Sequence, residues 1–127
     1  MDTDPAVQIS MAGVVLDSLD ARALAEFYRQ LLGWQIGSDE EGWVTLIAPG
    51  GGPKLSFATE PEYQPPTWPS GADRQQMMIH VDFLVADLDA AQAHAVAIGA
   101  TAASWQPQPD VRVLIDPAGH PFCLFTA

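Results

Sequence analysis

His80 and Asp82 stand two residues apart in QMMIHVDFLV (76–85), where Met77, Ile79, Val81, Phe83 and Val85 alternate with the remaining side chains as in a half-buried strand. Alternate residues of a strand share a face, so the imidazole and the carboxylate point the same way. A histidine oriented by a carboxylate can act as a general base or a hydrogen-bond donor near neutral pH. A histidine bonded to backbone is the competing reading. Cys123, in DPAGHPFCLF (116–125), is the single thiol of the chain. One cysteine excludes an intrachain disulfide and a multi-thiolate zinc knuckle, and a buried free cysteine is most often inert packing. His94 falls on the polar side of a helix and His120 in a turn. The glycines of PGGGP (49–53) are no phosphate cradle, because neither a helix nor a Lys-Ser/Thr pair follows them. Arg112 reads as half of a surface ion pair, and 39–41 as a hairpin tip in water.

The elements that must position these groups occur twice. The stretch 7–16 is β-branched and apolar and reads as a strand. Leu24, Phe27, Tyr28, Leu31 and Leu32 then recur at helical spacing, after a capping Asp20 and before Gly33, which suits a left-handed exit. Short strands follow at 35–37, 43–47 and 54–58, separated by the DEEG and PGGGP turns. Residues 60–75 hold four prolines and no periodicity, and form a connecting loop. From 76 the order restarts: a strand at 76–85, a helix capped by Asp89 and closed by Gly99, and strands near 101–104, 111–115 and 122–125. SLDAR (18–22) matches DLDAA (87–91) at an offset of 69, and APGGGPKLSF (48–57) matches DPAGHPFCLF at 68. LLGW (31–34) matches AIGA (97–100) at 66, and these three ordered matches make this an internal repeat. The expected fold is α+β: two tandem βαβββ modules, 7–59 and 76–126, in one domain spanning 7–126.

The bulk composition narrows the function. Five basic against sixteen acidic residues give a formal charge of −11, which repels phosphate backbones and anionic membranes, so neither nucleic acid nor a membrane is an expected partner. No apolar run reaches membrane length and no basic-then-apolar leader opens the sequence. A reduced, cytoplasmic protein is the simplest expectation.

A tandem βαβββ chain with HVDFLVADLDAA opening a module and DPAGHPFCLF closing it resembles the vicinal oxygen chelate superfamily. This is the group of glyoxalases, bleomycin-resistance proteins and extradiol dioxygenases, and the chain is most similar to its short bacterial glyoxalase-like members. The resemblance implies paired modules curled around a cleft, and a homodimer that completes or extends it. Metal-dependent members take one ligand from the first strand of each module and a glutamate from the last. Carried over position by position, those places fall on Met11, Leu55, His80 and Cys123. Methionine and leucine do not replace hard ligands, so a metal is possible at His80, Asp82 and Cys123 but disfavoured, and no cofactor is expected.

By alternation, Met78, Asp82 and Leu84 accompany His80; Ile9, Gly13 and Val15 accompany Met11; Phe57 accompanies Leu55; and Phe125 accompanies Cys123. The expected cleft is therefore largely apolar, with Tyr63 and Trp68 of the proline-rich loop as an aromatic lid. Such a lining suits a small, partly apolar organic ligand held without the usual metal. Two alternatives stand beside it. One is a lyase, isomerase or dioxygenase of the superfamily type working through His80. The other is drug sequestration of the bleomycin-binding kind, in an acidic aromatic groove.

Overall fold

In a computed structural model, which describes residues 5–127, the repeat is realised as two sheets of the same design. After a single 3-10 turn at Pro5–Val7, the first module runs β1 (Gly13–Ser18), α1 (Ala21–Leu32), β2 (Gln35–Glu40), β3 (Trp43–Ile47) and β4 (Lys54–Thr59). The second runs β5 (Val81–Leu84), α2 (Leu88–Ala97), β6 (Thr101–Ala102), β7 (Val111–Ile115) and β8 (Pro121–Phe125). The sheet orders are β1-β4-β3-β2 and β5-β8-β7-β6. In each, the first and last strands of the module pair in parallel and the other neighbours are antiparallel. The fold is thus α+β with tandem βαβββ modules. No helix of the described residues is long and apolar enough to cross a membrane.

Both opening strands are shorter than the apolar pattern suggests. Residues 8–12 and 77–80 lie outside any strand, although Ala12 still accepts a hydrogen bond from the Lys54 backbone at 2.9 Å.

The helix starts fix the true register of the repeat. Asp20 caps α1 by accepting from the Ala23 N–H at 3.2 Å, and Asp87 caps α2 by accepting from Ala90 at 3.0 Å. Asp87 therefore replaces Asp89 as the cap, and equivalent residues stand 67 apart rather than 69 or 68. Strand pairing agrees: Val15 faces Ser56 in β1/β4 as Asp82 faces Cys123 in β5/β8. Gly33 ends α1 at φ 71°, its N–H donating to the Arg29 carbonyl at 2.8 Å. α2 ends at Ile98, with Gly99 following at φ 126°.

One core holds the modules together. α1 buries Leu24, Phe27 and Tyr28, each such side chain contributing roughly 1.5–3 kcal/mol. Tyr28 stacks on Phe57 of its own sheet and lies edge-on to Phe122 of the other. Its hydroxyl donates to Asp116 at 2.7 Å, tying α1 to the turn before β8. The apolar faces of both sheets thus share a core with α1, leaving the opposite face of β5 and β8 available for a site.

Candidate functional site

On that opposite face the parallel pairing of β5 with β8 sets Asp82 directly beside Cys123, and His80 stands one pleat before Asp82. His80 Nε2 lies 3.0 Å from Asp82 Oδ1. One donor atom from each of His80, Asp82 and Cys123 falls within 4.8 Å of the other two, the one such group of three or more His, Cys, Asp or Glu among the described residues. Burial, and then the charge and hydrogen bonding of Asp82, push the Cys123 thiol up to about 11. At neutral pH and without a cation it is a thiol, beside the Asp82 carboxylate.

The three residues open onto a cavity of about 310 Å³. Val111 and Phe125 supply apolar wall, and Gln108, Asp110 and Thr126 supply polar groups. Phe125 follows Cys123 by two residues and so shares its face. Gln108 and Asp110 come from the loop entering β7, a segment whose prolines and lack of periodicity give no sequence signal of a site.

A divalent metal fits this donor set. Imidazole, carboxylate and thiolate are all zinc ligands, and three protein ligands with a fourth position open is the arrangement of catalytic zinc sites. The sulfur favours zinc over the hard cations magnesium and calcium. The ion must displace the thiol proton, so binding is linked to pH.

The first module contributes nothing comparable, for reasons the register makes plain. The counterpart of His80 is Gly13, where even a Cβ would meet the Lys54 carbonyl oxygen at 2.6 Å. The counterpart of Cys123 is Ser56. Met11 lies outside β1 and is 68 % exposed. Leu55 and Phe57 do not line a cleft: they are 5 % and 0 % exposed, in the core beneath α1. A slip of one residue in the expected register turned both to the wrong face of β4.

Two other expected cleft residues lie elsewhere. Met78, 87 % exposed, lines a second cavity of about 320 Å³ with Val15, Asp17, Tyr63 and His120. Trp68 is no lid on the His80 cavity; it packs on Trp105 at a ring distance of 5.3 Å and donates its indole N–H to the Trp105 carbonyl at 3.3 Å. Tyr63 donates to the Ala118 carbonyl at 2.9 Å and stands by His120.

His120, His94 and Arg112 each bond to a backbone carbonyl. His120 Nε2 lies 2.6 Å from the Asp17 carbonyl and His94 Nε2 lies 3.1 Å from that of Gln30; a carbonyl only accepts, so each Nε2 carries its proton. Arg112 donates to the Pro109 carbonyl at 2.8 Å and stands 3.5 Å from Asp89.

Comparison with known proteins agrees with this geometry at the level of fold. A search of curated proteins finds no match. Among solved structures, the chain is similar to a glyoxalase/bleomycin resistance protein/dioxygenase family enzyme from Burkholderia phytofirmans PsJN. That pair shares 19 % identity with a TM-score of 0.70, covering 93 % of this chain and 98 % of that one. A genomically encoded fosfomycin resistance protein from Listeria monocytogenes is 12 % identical, with a TM-score of 0.69 over 95 % of each chain. Lactoylglutathione lyase from Agrobacterium tumefaciens is 17 % identical, with a TM-score of 0.63 over 95 % of this chain and 96 % of that one. Such low identities speak for the fold alone. The model of the glyoxalase-like domain matches residues 13–125, and with the tandem modules in place it settles the family: the chain belongs to the glyoxalase-like domain proteins of the vicinal oxygen chelate superfamily.

Proposed function

We propose that this chain is a metal-assisted enzyme acting on a small, partly apolar organic molecule at the face of β5 and β8, with His80, Asp82 and Cys123 as the metal ligands. The observation that carries the reading is the convergence of three unlike ligand atoms within 4.8 Å in the lining of a cavity. It favours a metal-using site over the metal-free cleft expected from Met11 and Leu55, since neither of those residues occupies the place from which that expectation was drawn. A divalent ion bound there supplies Lewis-acid polarisation of a substrate oxygen. The chain's own residues do the rest. Before an ion binds, His80 and Asp82 hold one another in position at 3.0 Å; Cys123 closes the ligand set, and Val111 and Phe125 exclude water from one side of the substrate. A sulfur-containing set suited to zinc directs the chemistry to a lyase or isomerase rather than an oxygenase.

A second copy of the chain completes the assembly in this reading. Ile9 and Met11 before β1, and Met78 and Ile79 before β5, are exposed apolar side chains on the approaches to the opening strands, Met11 and Met78 at equivalent places in the two modules. Exposed apolar surface of this kind marks an interface. A reduced compartment such as the cytoplasm would keep Cys123 available as a ligand.

The test is a calorimetric titration of Zn²⁺ into untagged wild-type protein and into His80→Ala and Cys123→Ser. One equivalent bound by wild type and lost in both variants is the expected result. Wild-type protein that binds no stoichiometric Zn²⁺, Ni²⁺, Fe²⁺ or Mn²⁺ would overturn the reading.

A further inference from the structure

The charge of the cavity points to the class of molecule it takes. Two carboxylates, Asp82 and Asp110, line it, and among the described residues no lysine or arginine does. The chain's five basic residues are all placed elsewhere. Arg22 pairs with Asp39, Arg29 with Glu26 and Arg112 with Asp89. Lys54 lies on β4 of the other sheet and Arg74 in the connecting loop.

The site keeps its negative sign both when empty and when an ion is held by the full set of three ligands. With a divalent ion bound, the charges of Asp82 and a Cys123 thiolate cancel it, and Asp110 remains as surplus. Without an ion, Asp82 and Asp110 outweigh even a protonated His80. An anion entering here meets no fixed counter-charge and a carboxylate that repels it, while a cation meets a partner. Asp110 is the residue to provide that partner: it is exposed, belongs to no ion pair within 4.0 Å among the described residues, and stands outside the group of three. Val111, its neighbour, and Phe125 give the apolar wall for the rest of the molecule. A volume of about 310 Å³ is at the small end of ligand sites.

We propose that the cavity takes a small organic amine, its ammonium group held by Asp110 and its apolar body laid against Val111 and Phe125. This names the substrate class of the site assigned above and rests on that cavity being the functional one, but not on the metal.

The experiment uses three probes of one shape and different charge: benzylamine, benzyl alcohol and benzoate. Each is titrated into wild type, Asp110→Asn and His80→Ala, with and without one equivalent of Zn²⁺, and followed by protein NMR shifts. Benzylamine should bind wild type about tenfold or more tighter than the alcohol or benzoate, as a charge-assisted hydrogen bond provides. Asp110→Asn should remove that preference and leave Zn²⁺ affinity unchanged. Equal or tighter binding of benzoate, no binding of any probe at millimolar concentration, or an unchanged preference in Asp110→Asn would overturn the proposal. The two readings fail separately. A wild-type protein that binds Zn²⁺ but shows no amine preference sinks only the substrate class. An amine preference that persists in a protein that binds no Zn²⁺ sinks only the metal.

Discussion

The hydroxyl of Tyr28 and the carboxylate of Asp116, 88 residues apart in sequence, meet at 2.7 Å in the core. Asp116 also accepts from the backbone N–H groups of Ala118 and His120, at 2.9 and 3.0 Å. This places a module-1 helix and a module-2 turn on one carboxyl group. Tyr28→Phe keeps the ring contacts and deletes only the donor, leaving a buried acceptor short of a partner. The expected loss is about 1–3 kcal/mol in urea denaturation. A variant as stable as wild type would show that the ring packing alone joins the modules.

Burial raises the Asp116 carboxyl above its ordinary value, and this outweighs its hydrogen bonds from Tyr28, His120 and Ala118. A carboxyl with a raised folded value binds its proton more tightly in the folded chain. Its contribution to stability is complete at pH below the unfolded carboxylate value and is lost as pH rises through the folded one. Asp116→Asn has no such proton. The difference in melting temperature, wild type minus variant, should therefore fall as pH rises from 4 toward 7. A difference that grows with pH would reverse the sign and mean that the hydrogen bonds dominate.

Much of this architecture can be read from residue patterns, and the failures have a definite cause. The tandem βαβββ order follows from caps, periodicity and turn residues. His80, Asp82 and Cys123 come together because two-residue alternation and the pairing of first with last strands are robust. The first module went astray over spacing. DLDAA contains two aspartates, and letter-for-letter matching chose Asp89 where the helix N–H groups choose Asp87. A shift of two residues preserves the face, so Met11 was only misplaced along the chain. A shift of one reverses it, so Leu55 and Phe57 were assigned to a cleft when they belong to the core. Asp110 and Gln108 were not legible at all, since a proline-rich loop carries no period from which a face can be inferred.

Gly13 tests that corrected register. A Cβ there would stand 2.6 Å from a backbone oxygen, which cannot rotate away as a side chain could. Gly13→Ala should destabilise the fold by about 1–3 kcal/mol, as overpacking does. His80→Ala, at the equivalent place in the second module, should cost little stability because that side chain is partly exposed. Chemical denaturation of the two variants side by side would show the asymmetry. Equal effects would deny the 67-residue equivalence its steric meaning.

The exposed Met11 and Met78 bear on assembly. If a second copy covers them, wild-type protein sediments as a dimer, and Met11→Asp with Met78→Asp shifts it to monomer at the same concentration. Far-UV circular dichroism of the double variant should be unchanged, because neither residue lies in a strand or helix. A monomeric wild type would leave these methionines as ordinary exposed surface.

Cys123 offers the sharpest test of the metal. Its thiol titrates at about 11, and a metal binds the thiolate. Each Zn²⁺ bound near pH 7 must therefore release the Cys123 proton, and the logarithm of affinity rises by about one per pH unit on that account. Any proton released by His80 adds to the slope in wild type and in Cys123→Ser alike. The difference in slope between them, measured by competition with a chromophoric chelator from pH 6 to 8, isolates the sulfur. It should be about one proton. Equal slopes would mean that the sulfur stays protonated or lies outside the coordination sphere. The site would then shrink to His80 and Asp82, two ligands that already satisfy one another at 3.0 Å and have little left with which to hold an ion.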